Sequence, residues 1–405
     1  MRKFTEELLL SLLSNSEELN LSNKGVQDKD IIDIVNFLNK HPEIKRVNLN
    51  NNQISAIGAR DFALHNTTTT TVDLSRNLIG DSGAKYFARH NKTATTVNLS
   101  WNGISAVGAK DFAFYNTTAT KVNLSTNRIG ANGAKEFALY NTIVTTVDLS
   151  GNQIGDTGAK DFALHNKTAT TVALSWNRIG ALGAKDFAQH NKTVTTVDLS
   201  LNQIGDIGTK DFALHNKTVM TVDLSLNQIG ASGAKDFALH NTIATTVNLS
   251  GNHIGDIGAK DFALHNKTVT TVDLSRNLID ASGAKDFALH NKTATTVVLS
   301  GNRIGDIGIK ALASNLVLQV LKTDVSSLTK ASHLALIEKN PLKRACYGRE
   351  VGLPSNGDIP SLLRLNLFAV KEKLLAKNQG QGHIFTKEDL NGLEDLVPFL
   401  NQNKI

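Results

Sequence analysis

The chain has 405 residues, 40% of them apolar and 20% charged, which is ample for a large buried core. Its formal net charge of +6 lies mostly in the part of the chain from Lys310 onward, and no stripe of lysine and arginine is visible elsewhere, which argues against nucleic-acid binding. The single cysteine, Cys346, excludes an intramolecular disulfide framework, and we expect no membrane span because no apolar stretch is long enough.

The first predicted region is an N-terminal cap at residues 1–46. The opening, MRKFTEELLLSLLSNSEEL, predicts an amphipathic helix rather than a signal peptide, because glutamates precede a short apolar run and no small-residue cleavage site follows. A degenerate repeat, ELNLSNKGV, lies at Glu18–Val26 between two helical patterns. We interpret the region as a helical cap with a degenerate repeat, since terminal repeats of an array present a polar outer face.

Eleven repeats of 25 residues fill residues 47–315. An asparagine marks each copy in register: Asn52, Asn77, Asn102, Asn127, Asn152, Asn177, Asn202, Asn227, Asn252, Asn277 and Asn302. In the copy at Thr145–Ala169, TVDLSGN alternates as a half-buried strand does, and GAKDFALHN has apolar residues at helical spacing. Stacked copies should therefore form one parallel sheet with one helix per strand. The expected core positions are those of Val147, Leu149, Ile154, Ala159 and Phe162.

The repeat pattern fades after Asn302. DIGIKALASN predicts a last helix, and VLQVL at 317–321 predicts a last, irregular strand. Three further helices are predicted, at about 328–339, from near Pro360 to before Gly380, and after Thr386, which begins a sequence typical of a capping box. Residues 316–405 would then be either a C-terminal cap or a small helical domain.

The motif VxLSxNxIxxxGAKDFA resembles the leucine-rich repeat in its ribonuclease-inhibitor-like form, over about Val47 to Ala313. The resemblance implies an α/β fold, an open horseshoe-shaped solenoid with a parallel concave sheet and short convex helices, followed here by a helical C-terminal region. In that family the repeated asparagine satisfies backbone groups where the strand turns away. The near-identical copies without disulfide caps are also similar to leucine-rich-repeat effectors that Legionella-type bacteria inject into host cells.

The copies differ most at the residue just before each asparagine, here called the variable column: Asn51, Arg76, Trp101, Thr126, Gly151, Trp176, Leu201, Leu226, Gly251, Arg276 and Gly301. It holds both tryptophans, and three consecutive apolar members would form a strip at a strand spacing of about 4.8 Å. Arginine recurs just after the asparagine, and aromatics beside arginine are typical of interface hot spots. The predicted partner-binding residues are Trp101, Arg128, Trp176, Arg178, Leu201 and Leu226. The alternative is neutral drift in a recently duplicated array.

A histidine or tyrosine recurs near the end of each predicted helix, from His65 to His290. One interpretation is a metal-binding or pH-sensing array. The other is a structural residue near the helix C-terminus. We favour the structural interpretation because helix axes pack about 8–10 Å apart and no additional ligands are evident. The sequence therefore predicts neither a metal nor a cofactor.

No catalytic motif stands out. Cys346 could act as a nucleophile with His333 or His383, but a lone cysteine is more often a small apolar residue. Some bacterial repeat effectors carry a cysteine ubiquitin-ligase domain, for which the tail is too short. The end of the chain, KEDLNGLEDLVPFLNQNKI, resembles translocation signals of type IV secretion effectors, and the alternative is an ordinary capping helix.

The sequence thus favours a non-enzymatic, monomeric scaffold that binds a host protein on its concave face. As an effector it would be made in the bacterial cytoplasm and act in the host cell cytoplasm. Two alternatives stay open. The repeats could deliver a catalytic or adaptor domain at 326–405, which deletion of that region would reveal, or the array could regulate a small GTPase, which a panel of GTPase assays would detect.

Overall fold

The computed structural model describes residues 4–324. The strands are β1 (Leu13–Asn15), β2 (Glu18–Asn20), β3 (Arg46–Asn48), β4 (Thr71–Asp73), β5 (Thr96–Asn98), β6 (Lys121–Asn123), β7 (Thr146–Asp148), β8 (Thr171–Ala173), β9 (Thr196–Asp198), β10 (Thr221–Asp223), β11 (Thr246–Asn248), β12 (Thr271–Asp273), β13 (Thr296–Val298) and β14 (Val320–Lys322). The helices are α1 (Glu6–Ser11), α2 (Ile31–Lys40), α3 (Ala56–His65), α4 (Gly80–His90), α5 (Ala106–Tyr115), α6 (Gly130–Tyr140), α7 (Gly155–His165), α8 (Ala181–His190), α9 (Gly205–His215), α10 (Ala231–His240), α11 (Gly255–His265), α12 (Ala281–His290) and α13 (Gly305–Ser314). The predicted helices after residue 325, together with His333, Cys346 and His383, lie outside the described residues.

The fourteen strands form one open sheet in chain order. β1 pairs antiparallel with β2, and every later pair is parallel, with equivalent residues side by side, such as Val197 beside Val222. The constant period maintains this register, because a shift by one residue would turn the apolar side chains to solvent. The predicted open solenoid is confirmed, with eleven regular strand–helix units from β3 to α13.

The core is a continuous apolar layer between the sheet and the helices. The five predicted positions are each no more than 1% exposed in the copy that begins at residue 145: Val147, Leu149, Ile154, Ala159 and Phe162. A row of fully buried phenylalanines, one per helix from α3 to α12, runs from Phe62 to Phe287. The row depends on stacking, because an isolated unit cannot cover its own apolar face.

The strands are shorter than the alternating pattern suggested. TVDLSGN alternates over its whole length, yet β7 ends at Asp148. The Asp148 carboxylate accepts the backbone N–H of Ser150 at 2.9 Å, and Gly151 then adopts a positive φ of 67°. Such local side-chain-to-backbone bonds compete with the strand ladder. At the far end, β14 begins at Val320, later than the pattern placed it.

The helices begin in two ways. One set begins at a glycine: α4, α6, α7, α9, α11 and α13. The other set begins one residue later in the repeat, at an alanine that follows an N-cap residue: α3, α5, α8, α10 and α12. In the second set the backbone N–H of the N-cap residue donates to an aspartate of the preceding unit, as Gly230 N–H does to Asp206 Oδ1 at 2.6 Å. The carboxylates therefore tie the units together in pairs, through Asp28, Asp81, Asp156, Asp206 and Asp256.

The unit of β6 and α6 stands outside this pairing. It has Ala131 where the first unit of each pair has aspartate, and the next helix, α7, begins directly at Gly155. The Gly155 N–H donates to the backbone carbonyl of Asn177 at 2.9 Å, so it needs no carboxylate. Between α3 and α12, this is the one described unit without the inter-unit carboxylate bond.

Replacing Asp206 with alanine should destabilise the array by about 1 kcal/mol, the usual cost of losing a helix cap. The change removes the acceptor of the Gly230 N–H and of the Ser232 hydroxyl, which lies 2.6 Å from Asp206 Oδ2. Urea unfolding followed by circular dichroism measures the loss. Ala131→Asp is the matched control. It adds a carboxylate at a position where the N–H of the next helix, that of Gly155, is already bonded to Asn177, so we expect no stabilisation. Equal stability of wild type and Asp206→Ala would contradict the pairing role.

Candidate protein-binding surface

The asparagine of each repeat anchors the turn after the strand. Asn152 is fully buried, and its Nδ2 donates to the carbonyls of Leu124 and Leu149, each at 3.0 Å. Its Oδ1 accepts the backbone N–H groups of Asn127 at 3.1 Å and Ile129 at 3.2 Å. The side chain thereby bridges two neighbouring units at a point where the backbone has left the sheet. This fixed turn presents the residue just before it to solvent.

All eleven members of the variable column have a positive φ, between 52° and 71°. The alternating pattern TVDLSGN predicts that this column lies at the end of the strand. The structure places it in the loop after the strand, three residues beyond it, because the left-handed conformation does not fit a strand. The loops still follow one another in register: the Trp176 N–H donates to the Ser200 carbonyl at 3.1 Å, and the Leu201 N–H to that of Ser225 at 3.0 Å.

Large side chains at this column are conformationally unfavourable. Glycine adopts a left-handed φ without a steric penalty, whereas other residues lose about 1 kcal/mol or more there. Gly151, Gly251 and Gly301 show that glycine fits the turn. The tryptophans do not recover the cost by burial, because Trp101 is 52% exposed and Trp176 is 63% exposed. Burial within this chain therefore offsets the conformational cost of these residues only in part.

The two tryptophans line one cleft of about 430 Å³. It spans four consecutive loops, and its walls are Trp101, Gly103, Thr126, Asn127, Arg128, Gly151, Gln153, Trp176 and Arg178. Four of the six predicted partner-binding residues are thus brought together here. We call this the tryptophan cleft.

Contacts within the chain position both tryptophan rings. A Cβ atom on Gly151 would lie only 3.2 Å from Cε3 of Trp176 and 3.3 Å from Oγ1 of Thr126, so the Trp176 ring leans over Gly151 and covers it. At the other wall, the Arg76 guanidinium lies 5.3 Å from the centre of the Trp101 ring, within cation–π range. Both rings are thereby held in place, and the open volume of the cleft lies between them.

The cleft carries unbalanced positive charge. Arg128 and Arg178 are both exposed at its wall, and neither forms an ion pair or a side-chain hydrogen bond within residues 4–324. None of the residues that line the cleft is acidic. An arginine side chain without a partner can bind a carboxylate through two parallel hydrogen bonds.

Leu201 and Leu226 lie outside the cleft. Each is 50% exposed. Leu226 leans over Gly251, where a Cβ atom would come within 2.7 Å of its Cδ2, whereas Trp176 leans the opposite way over Gly151. The apolar strip predicted from the sequence therefore has two parts, the tryptophan cleft and a leucine pair beside it.

The sheet face next to the cleft carries a row of carboxylates. A shallow depression of about 390 Å³ crosses this face from β4 to β9, and Asp148 and Asp198 line it. Asp223 lies next to it on β10. Each of the three aspartates accepts the backbone N–H of the serine two residues later. The pKa of Asp198 is raised above its usual value, mainly because the carboxyl group is buried. The negative charges of Asp223 and Asp148 also raise this pKa, and the hydrogen bonds from Ser200 offset part of the shift. We call these three residues the aspartate row.

Histidines at the ends of the helices contact the backbone of their own helix. Nδ1 of His165 lies 2.8 Å from the carbonyl oxygen of Asp161, one turn earlier, and His215 and His290 repeat this contact. Among the described residues, no group of three histidine, cysteine, aspartate or glutamate side chains is placed to hold a metal ion. No helix in the same part of the chain is both long and apolar enough to cross a membrane.

Sequence reasoning missed several features of the cleft. Thr126, Gln153 and Gly103 line it although their residue types attract no attention. One feature of the sequence does point to Gly151, because this glycine separates two bulky regions of the variable column. The positive φ of the column could also be inferred from the sequence, because glycine and asparagine occur there and both tolerate a left-handed turn.

Comparison with known proteins identifies the repeat. A family profile described as Leucine Rich repeat matches ten consecutive segments that together make up more than half of the chain: 65–88, 90–113, 115–138, 140–163, 165–188, 190–213, 215–238, 240–263, 265–288 and 290–313. No curated protein matches the chain significantly.

Several solved structures align with the chain at low sequence identity, and two of them reach a TM-score of 0.5. A chain of the yeast Rad7–Elc1 complex aligns with a TM-score of 0.50 and 12% identity, over 76% of this chain and 82% of its own. A chain of the TLR13–ssRNA13 complex aligns with a TM-score of 0.52 and 16% identity, over 79% of this chain and 51% of its own. An internalin (inlF) from Listeria monocytogenes gives a TM-score of 0.45 and 16% identity, over 83% and 87%. With ten matched repeats on an open strand–helix solenoid, the chain belongs to the leucine-rich repeat family.

Proposed function

We propose that the array is a non-enzymatic scaffold that binds a protein partner, with the tryptophan cleft and the adjacent leucine pair at the centre of the interface. One observation carries the proposal: exposed tryptophan and leucine occupy turn positions at which glycine would be conformationally cheaper. Side chains that are conformationally unfavourable and leave half or more of their surface exposed in the free chain are expected to be stabilised by burial in a complex. Tryptophan and arginine are also the residues most enriched in interface hot spots.

Replacing Trp176 with glycine should weaken partner binding about thirtyfold, because loss of a buried interface tryptophan costs about 2 kcal/mol. Thermal stability should stay equal or rise, since glycine relieves the left-handed turn. The partner is first captured from host-cell lysate and identified by mass spectrometry, and its affinity for each purified variant is then measured. His215→Gln, on the helix side, is the control that should bind as wild type does. Unchanged affinity of the Trp176 variant would mean that the column reflects drift.

We further propose that the protein is a bacterial effector of the ribonuclease-inhibitor-like leucine-rich repeat subclass. It would be made in the bacterial cytoplasm, delivered by type IV secretion, and act as a monomer on a protein in the host cell cytoplasm. Support comes from near-identical repeats without cysteine caps, from one strand and one helix per unit, and from the acidic and apolar tail after Lys387. That tail lies outside the described residues.

Deletion of residues 387–405 should abolish delivery into host cells if the tail is a translocation signal. A reporter enzyme fused to the full-length and to the shortened protein measures delivery from a donor strain with a type IV system, and a secretion-deficient strain provides the background. Equal delivery of both fusions would refute a signal in this tail, without bearing on the binding surface.

A further inference from the structure

We propose that the partner presents one extended segment with opposite charges at its two ends: an acidic residue in the tryptophan cleft and basic residues over the aspartate row. The inference rests on the proposed function and adds the chemistry of the ligand. It predicts both what binds and in which direction the segment crosses the surface, from the loops onto the sheet face.

The cleft selects the acidic end. Arg128 and Arg178 each offer a guanidinium without an intramolecular partner, and none of the cleft-lining residues is acidic. Both arginines line the cleft of about 430 Å³, which has a tryptophan ring at each end. An apolar or aromatic residue beside a carboxylate would fill this space while its neighbour meets an arginine.

The aspartate row selects the basic end. Asp148, Asp198 and Asp223 form no ion pair within the described part of the chain. Asp223 also accepts a hydrogen bond from Nδ2 of Asn248 at 2.7 Å. Because the amide is neutral, this bond does not balance the negative charge of the carboxylate. The mutual repulsion that helps to raise the pKa of Asp198 would be relieved by lysine or arginine from a partner.

The two charged regions are close enough for one short segment. Asp148 is the last residue of β7, and Gly151 lies three residues later in the loop that follows, a reach of at most about 11 Å. The cleft and the row also share neighbouring units, and successive strands lie about 4.8 Å apart. An extended peptide of four or five residues therefore spans from the cleft to the row.

Single-stranded nucleic acid fits the cleft but not the whole surface. Bases stack on tryptophan and phosphates pair with arginine, so the tryptophan cleft alone would suit an oligonucleotide. A nucleic-acid strand carries negative charge along its whole length, however, and would be repelled where it crosses the aspartate row. A polypeptide can change the sign of its charge within a few residues, which favours a protein ligand.

The chain itself provides the optical probe. Its two tryptophans are Trp101 and Trp176, and both line the cleft, so intrinsic fluorescence reports directly from the proposed site. The full-length protein is titrated with synthetic peptides of about ten residues, each about 35 Å long when extended. One has glutamates around a phenylalanine at one end and lysines at the other, the second keeps only the acidic end, and the third keeps only the basic end. Single-stranded RNA of about ten nucleotides is the fourth ligand.

The peptide with both ends should change tryptophan fluorescence and bind about tenfold more tightly than the acidic peptide. The basic peptide and the RNA should leave the fluorescence unchanged. Arg178→Glu should lower the affinity for the two-ended peptide at least tenfold and raise the affinity for a version whose glutamates are replaced by lysine. Asp198→Asn should lower the affinity for the two-ended peptide while leaving the affinity for the acidic peptide unchanged. The fold should tolerate it, because Asn98 and Asn123 make the same backbone bond in their copies.

Arg303→Glu and Asp273→Asn are the matched controls, since they change the same repeat positions outside the cleft and the row. Equal affinity for the two-ended and acidic peptides, tighter binding of RNA, an unchanged Arg178→Glu variant, or no peptide binding up to about 1 mM would each overturn the inference. If the lysate partner still depends on Trp176 in any of these cases, the protein-binding function stands and only the ligand chemistry is wrong.

Discussion

Phe187→Ala should lower the free energy of unfolding by about 3–5 kcal/mol, the range measured for deletion of a buried aromatic ring. Phe187 lies in α8, is fully buried, and belongs to the phenylalanine row that joins successive helices. Its loss leaves a cavity that neighbouring units cannot close, because their identical period holds them at a fixed spacing. Urea denaturation followed by circular dichroism measures the change.

Leu182→Ala is the control within the same helix. Leu182 is 58% exposed, so its truncation removes little buried area and should change stability by less than about 0.5 kcal/mol. Similar losses for the two variants would mean that the phenylalanine row does not hold the array together. A small loss for Phe187→Ala alone would imply that the neighbouring helices collapse onto the vacated space.

Asn252→Ala should cost about 3 kcal/mol, because it leaves several buried backbone groups without partners. Asn252 Oδ1 accepts the N–H groups of Asn227 at 2.9 Å and Ile229 at 3.0 Å. Its Nδ2 donates to the carbonyls of Leu224 at 3.0 Å and Leu249 at 2.9 Å. Water cannot reach these groups once the side chain is gone, since the site is almost fully buried. Thermal and urea unfolding both measure the loss.

His253→Ala changes the next residue, whose side chain is exposed, and is expected to leave stability within about 0.5 kcal/mol of wild type. The comparison separates the ladder bonds from any general sensitivity of the loop. If Asn252→Ala unfolds at the same urea concentration as His253→Ala, ordered water replaces the amide and the asparagine is not the anchor of the turn.

The sequence predicted the architecture because each structural element recurs with the same apolar spacing. The burial of Val147 and Phe162 follows from periods of two and about 3.6 residues, and the register follows from the constant repeat length. The ends of the strands were harder to predict, because the hydrogen bond from the Ser150 N–H to Asp148 ends the strand without changing the alternation of residue types. Local polar bonds of this kind leave no trace in a hydrophobic pattern.

The candidate site was partly visible in the sequence. Variation among otherwise constant copies drew attention to Trp101 and Trp176, and strand spacing placed them within reach of one ligand. The left-handed φ of their column and the lean of Trp176 over Gly151 were not visible, because they depend on how adjacent loops pack. These two facts divide the predicted apolar strip into a cleft and a leucine pair.

The unit of β6 and α6, which lacks the inter-unit carboxylate bond, has a consequence for cooperativity. A repeat array behaves as a line of units coupled to their nearest neighbours, so the bonds between units decide where unfolding boundaries form. The α6 unit keeps the ion pair of Glu136 with Lys110 of α5, but no aspartate joins it to the N-cap of a neighbouring helix. The tryptophan cleft includes the loop of this unit, since Thr126 and Arg128 lie between Trp101 on one side and Trp176 on the other. A ligand in the cleft would hold the two halves of the array together. We therefore expect ligand binding to suppress hydrogen exchange on both sides of α6 at once.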